Sequence, residues 1–210
     1  MTNKLVEQYK TKKKQIKKRL KEFKQVGERS DKKIFAELCF CICTPQSRAV
    51  FCNKAISNLE RSGMLYTGNL EQIRFELKAV RFPNNKAKFI FEARKTFSEK
   101  GKLLIKSRVQ KNNIHDSREW IVNNVKGIGF KEASHFLRNM GLGKDLAILD
   151  VHILRNMVRY KVISEIPKTI TKKIYYCIED KIKDFSGEID IPMDELDLLL
   201  WSNETGKIFK

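Results

Sequence analysis

Val125-Lys126-Gly127-Ile128-Gly129-Phe130-Lys131, followed by Glu132 to Gly141 and then by Asp150-Val151-His152, is the stretch on which the reading of the fold turns. Gly127 and Gly129 flank one apolar residue, a pattern that suits a hairpin too tight for side chains at those two positions. Upstream, Asp116-Ser117 ahead of Arg118, Trp120, Ile121 and Val125 predicts a short capped helix. Downstream, Ala133, Phe136, Leu137 and Met140 recur at helical spacing and stop at Gly141. The unit is helix, hairpin, helix. A hairpin that opens a helix presents bare backbone N–H groups and the positive end of the helix dipole, a seat for a phosphate oxygen. A dinucleotide-binding fingerprint would need a glycine at position 132, where Glu stands, and a strand before Gly127; both are missing. An ordinary helical corner is the competing reading. Lys131 counts against it, because a cation at the first helical position opposes the dipole.

Working outward, the chain has 210 residues, 41% of them hydrophobic, enough for one compact unit or two small lobes. A formal net charge of +18 implies an anionic partner. Nucleic acid is favoured over membrane, since no long apolar run exists. Met1-Thr2-Asn3-Lys4 leads into a polar, basic segment without a signal-peptide pattern, so a cytoplasmic protein is expected, nucleoid-associated in a prokaryote. Cys39, Cys41 and Cys43 lie in an apolar helical run. With Cys52 and Cys177 they read as buried free thiols and not as metal ligands.

Residues 4 to 26 carry Leu5, Tyr9, Ile16, Leu20, Phe23 and Val26 on one face and a crowd of lysines elsewhere, an amphipathic helix that a phosphate backbone would relieve of self-repulsion. Ser30-Asp31 is expected to cap a core helix through Ile34, Phe35, Leu38 and Ile42 that stops at Thr44-Pro45, with Gln46 on the corner. Gly68-Asn69 starts a helix that must end before Pro83, leaving Phe82 at the break. A helix over 84–97 is predicted to point Ile90, Phe91 and Phe97 inward and Lys86, Lys88, Arg94 and Lys95 outward. Residues 100–113 read as a polar connector. Asp150 opens a helix through Ile153, Leu154 and Met157, where an aspartate would ordinarily be only an N-cap. Helices are expected over 167–185 and from Pro192 to Trp201, and no strand is expected. The fold class is all-α.

The run from Val125 to Arg155, the closing Leu196-Asp197-Leu198-Leu199-Leu200-Trp201 and the terminal Lys210 resemble the helix-hairpin-helix DNA glycosylases, and within them the archaeal-type 8-oxoguanine DNA glycosylase/AP lyases. The resemblance implies two helical lobes, residues 30–144 ending in the hairpin unit and residues 1–29 plus 145–210, with the hairpin at the cleft. It implies Lys131 as the nucleophile and Asp150 as electrostatic stabiliser and proton acceptor. Gly127 and Gly129 would grip a phosphate, with His152 as a further contact. Gln46 matches the wedge that fills the gap left by an extruded base, although the archaeal-type relatives have Ala-Asn in place of Pro45-Gln46. Phe82, Trp201 and Lys210 would recognise the base. The backbone of Asn123, Val125 and Ile128 would hold a monovalent cation, while no side chain demands a metal and no cofactor is implied. The endonuclease III relatives carry a four-cysteine cluster near the C-terminus; here only Cys177 lies there.

Such an enzyme breaks the C1′–N bond of a nucleotide swung out of the stack. A lysine amine attacks C1′, forms a Schiff base, and elimination then nicks the strand. The implied partner is double-stranded DNA containing 8-oxoguanine, bound by a monomer. Two alternatives stay open at this point: a glycosylase for a different damaged or mismatched base, and a non-catalytic DNA-binding module that leaves Lys131 unused.

Overall fold

The computed structural model describes residues 2–109 and 113–209. In chain order the helices are α1 (Thr2–Glu28), α2 (Asp31–Cys43), α3 (Ala49–Arg61), α4 (Met64–Thr67), α5 (Leu70–Glu76), α6 (Pro83–Phe97), α7 (Ile105–Val109), α8 (Ile114–Asn124), α9 (Phe130–Asn139), α10 (Val151–Arg159), α11 (Lys172–Glu188) and α12 (Met193–Thr205). The expected all-helical class holds, with one exception. Ser98–Glu99 (β1) and Lys102–Leu103 (β2) pair antiparallel, β1 just ahead of the stretch expected to be a connector and β2 within it. Lys100 and Gly101 both have positive φ, 47° and 76°, which suits a two-residue turn whose twist matches paired strands. Strands of two residues are too short to display alternation, so the sequence carried no strand signal. Among the described residues no helix is long and apolar enough to cross a membrane.

The chain divides into two compact units, residues 28–136 and residues 1–27 with 137–210. In the first, α2 is buried from Ile34 to Cys43, as a helix apolar on every side must be. It packs against α3, α6 and α7. Its start differs from expectation: Ser30 is the N-cap residue but makes no side-chain cap bond, and Asp31 Oδ1 accepts the Lys106 N–H at 2.8 Å. Asn69 and Gln72 form a reciprocal capping box at α5. α8 begins before Asp116-Ser117, at Ile114, because the Asn113 side chain accepts the His115 N–H at 2.8 Å. Cys39, Cys41, Cys43 and Cys52 are buried thiols, whereas Cys177 is exposed; burial pushes the Cys39 and Cys43 thiols well up.

In the second unit, α1 buries Leu5, Tyr9, Ile16 and Phe23. Tyr9 donates to Glu195 Oε2 at 2.6 Å; burial and that hydrogen bond raise the phenol above its ordinary value. α12 packs on α10 and α11. The division falls between Phe136 and Leu137 instead of after residue 144. The end of α9 lies against α1: a Cβ at Gly141 would come within 2.5 Å of the Lys24 Cα, so this approach admits only glycine. α11 begins at Lys172, later than expected, because Thr171 accepts the Ile174 N–H. α12 continues past Trp201 to Thr205 and stops on Gly206 at φ 76°.

Candidate active site

The hairpin excludes a side chain at Gly127 but, against expectation, not at Gly129, whose backbone is not left-handed and whose nearest neighbour is the flexible end of Glu132. Val125 closes α8 by donating to the Ile121 carbonyl at 2.9 Å, and Ile128 donates to the Val125 carbonyl at 3.4 Å. Buried Val125 and Ile128 pin the turn, and both glycines are exposed at its tip. Gly127 has φ +80°, and a Cβ there would lie 2.3 Å from the Phe89 ring. α9 opens with Ala133 donating to the Gly129 carbonyl at 2.9 Å, which makes Lys131 the second helical residue and not the first. Arg118, 0% exposed, donates to Ser134 Oγ at 3.1 Å and lies 5.4 Å from the Phe130 ring centroid. That bond locks the two helices flanking the hairpin.

Glu132 was not expected to take part. Its Oε2 accepts the Gly129 N–H at 3.3 Å and its Oε1 accepts from Lys131 Nζ at 3.1 Å. One carboxylate therefore lies on the same N–H that would seat a phosphate and on the expected nucleophile, so an anion already suits this position. The signal was present in the sequence: Gly129-x-x-Glu132 has the spacing by which a glutamate reaches back to an N-cap amide. In the role expected of it, the Lys131 amine would first have to leave this carboxylate.

Two further corners of the same unit carry Gln46 and Phe82. Both have left-handed backbones, at φ 54° and 58°, rare for residues with a Cβ. Gln46 is exposed; Phe82 is 48% exposed, with the Arg81 guanidinium 4.9 Å from its ring centroid. Ser47 Oγ ties the corners together by accepting the Arg81 N–H at 3.0 Å. Lys86, expected to point outward, is instead 4% exposed and bonded to the Gln46 corner. The missed signal is spacing, since Lys86, Ile90, Ala93 and Phe97 lie on one buried stripe of α6.

Asp150 and His152 belong to the other unit. Asp150 follows buried Leu146–Leu149 and is the N-cap of α10, its Oδ1 accepting the Ile153 N–H at 2.8 Å. One oxygen thus fixes the side chain. His152 Nδ1 is buried without a hydrogen-bond partner among the described residues. Trp201 is half-buried on α12. Lys210, assigned to base recognition, lies outside the described residues. Of the three carbonyls assigned to a cation, that of Val125 accepts the long Ile128 bond noted above and keeps a second lone pair.

A glycine hairpin at a helix N-terminus, with a lysine at its mouth, defines a helix-hairpin-helix unit able to hold a phosphate beside a nucleophile. The family model for 8-oxoguanine DNA glycosylase matches residues 16–191. A Fusobacterium nucleatum 8-oxoguanine DNA glycosylase/AP lyase is 47% identical over 210 residues, covering 99% of this chain and 97% of the relative. The crystal structure of the Thermotoga maritima 8-oxoguanine DNA glycosylase has a TM-score of 0.89 at 36% identity, covering 100% of this chain and 98% of that one. The Methanocaldococcus jannaschii glycosylase/lyase in complex with a 15mer DNA containing 8-oxoguanine has a TM-score of 0.88 at 36% identity, covering 98% and 99%. The chain belongs to the 8-oxoguanine DNA glycosylase family.

Proposed function

We infer that this chain excises 8-oxoguanine from DNA and then cleaves the strand at the same site, with Lys131 as nucleophile. It is a DNA glycosylase and AP lyase. The observation that carries the residue assignment is Lys131 at the mouth of the Gly127–Gly129 hairpin, where a phosphate taking the place of the Glu132 carboxylate on the Gly129 amide would lie next to the amine. The Lys131 lone pair attacks C1′; the C1′–N9 bond breaks and its electron pair leaves with the base, which takes up a proton. Asp150 stabilises the positive charge that develops on the sugar and accepts the proton that the attacking amine gives up. Ring opening yields the iminium. Loss of a 2′ proton with departure of the 3′ phosphate completes β-elimination, and water releases the lysine.

Gln46 fills the space vacated by the extruded nucleotide, which offsets part of the few kcal/mol that unstacking costs. Phe82 and Trp201 offer faces to the base, and His152 adds a phosphate contact. The carbonyls of Asn123, Val125 and Ile128 would hold a monovalent cation, placing positive charge beside the bound phosphate. The net charge of +18 supplies sequence-independent attraction to the duplex. The protein acts as a monomer on chromosomal DNA in the cytoplasm.

Incision of a panel of duplexes, each with one lesion or mismatch, tests the assignment. Cleavage at 8-oxoguanine is expected, with none at a mismatched adenine or an alkylated base. Binding without incision anywhere on the panel would leave only a DNA-binding module.

A further inference from the structure

Lys86 has no place in the chemistry above, yet it is almost wholly buried. Its ammonium donates to the Cys43 carbonyl at 2.6 Å, the Pro45 carbonyl at 2.7 Å and Ser47 Oγ at 2.9 Å. All three ammonium protons are committed, in the short range expected of charge-assisted bonds. The first acceptor is the last residue of α2, where a cation also meets the negative end of the helix dipole. The other two flank Gln46 on either side. The Lys86 backbone N–H, in turn, donates to the Phe82 carbonyl at 3.1 Å. Ser47 Oγ, held by the ammonium, also accepts the N–H of Arg81, the residue before Phe82.

One buried residue therefore grips both left-handed corners, the first by its side chain and the second by its main chain. A left-handed non-glycine residue persists only where its surroundings over-determine it. An apolar side chain could fill the space but could not hold two carbonyls and a hydroxyl. Burial pushes the Lys86 amine below its ordinary value, a cost that is retained here together with a specific geometry.

We propose that Lys86 is a positioning residue which fixes the Gln46 and Phe82 corners relative to each other, so that the wedge and the base-stacking ring engage a lesion together. The proposal rests on the reading of those two side chains given above. It concerns extrusion and capture of the base, not bond breaking at the sugar. Removing Lys86 accordingly separates two activities that a general loss of structure would lower together.

The test compares single-turnover excision from an 8-oxoguanine duplex with strand cleavage of a duplex holding a preformed abasic site, which offers no base to unstack or stack. Lys86→Met, close in length and apolar, is expected to lower excision on the order of 10- to 100-fold, the penalty for misplacing a site group by about 1 Å. Abasic-site cleavage is expected to stay within about threefold, since it needs neither base capture nor unstacking. Ser47→Ala removes one of the three bonds and the link to Arg81, and should shift the same ratio in the same direction; it carries the test should Lys86→Met fail to fold. Unchanged excision in a folded variant, or equal losses in the two assays, overturns the proposal. Gln46→Ala and Phe82→Ala in the same assay separate the two layers. If both are silent, the reading of the corners fails and the proposal with it; if they lower excision and Lys86→Met does not, the anchor alone fails.

Discussion

Replacing Gly127 with alanine should damage the hairpin far more than the same change two residues later. At φ +80° an L-residue pays the left-handed penalty, about 1–2 kcal/mol. The new Cβ would also lie 2.3 Å from Phe89 Cδ2, and relieving overpacking of this kind costs about 1–3 kcal/mol. Together these predict a loss of roughly 2–5 kcal/mol for Gly127→Ala. At Gly129 the backbone is not left-handed, and the nearest atom is Glu132 Oε2 at 3.3 Å, the far end of a flexible side chain. Gly129→Ala should then cost no more than about 1 kcal/mol, the difference between glycine and alanine ahead of a helix. Urea unfolding of the two variants reads this contrast. A double-mutant cycle with Phe89→Ala divides the Gly127 term: the clash should appear as a coupling of about 1–3 kcal/mol while the backbone part remains. Equal losses at the two glycines, or no coupling to Phe89, would refute the reasoning about how the hairpin is built.

Asp150→Asn should keep the cap on Ile153, because asparagine caps as well as aspartate, and so change stability by less than about 0.5 kcal/mol. Excision should nonetheless fall by about 10²-fold or more through loss of the stabilising charge; thermal melting and single-turnover rates check the two halves. Glu132→Gln removes the carboxylate that lies against the Gly129 amide and Lys131; binding to undamaged duplex at low salt should tighten by about two- to tenfold, read by fluorescence anisotropy. Glu204 accepts from Asn156 Nδ2 at 3.1 Å and Arg159 Nη1 at 3.0 Å, and these bonds hold its carboxyl below the ordinary value. Its contribution to stability is therefore present at neutral pH and lost as pH falls through the depressed value. Glu204→Gln should flatten the acid limb of a melting-temperature profile, and an unaltered limb would count against the pairing.

The backbone of the hairpin and of the Asp150 corner was readable because those residues obey local rules. A Gly-x-Gly turn before a helical run and a capping aspartate before an apolar one each announce their backbone, whereas Phe82, left-handed at φ 58°, departs from the extended backbone that a residue before proline favours. Lys86 was not readable by residue type, since lysine is almost never fully buried; only its place on the Ile90–Phe97 stripe betrayed it. The β1–β2 hairpin escaped because two-residue strands have no period. Residues 137–141 belong with α1 in the second unit, where Gly141 meets Lys24, a contact between segments far apart in the chain. Pro167 and Ile170 look like a helix entry, but the Thr171 cap sets the start of α11. Glu132 stands where a dinucleotide fingerprint would have its third glycine, and its spacing from Gly129 is that of a cap.

The most direct measurement is borohydride reduction during turnover of an 8-oxoguanine duplex, with the cross-linked peptide located by mass spectrometry. A single adduct at Lys131, absent from Lys131→Gln, is the predicted result. An adduct that persists in that variant, or that maps to another amine, would contradict the account.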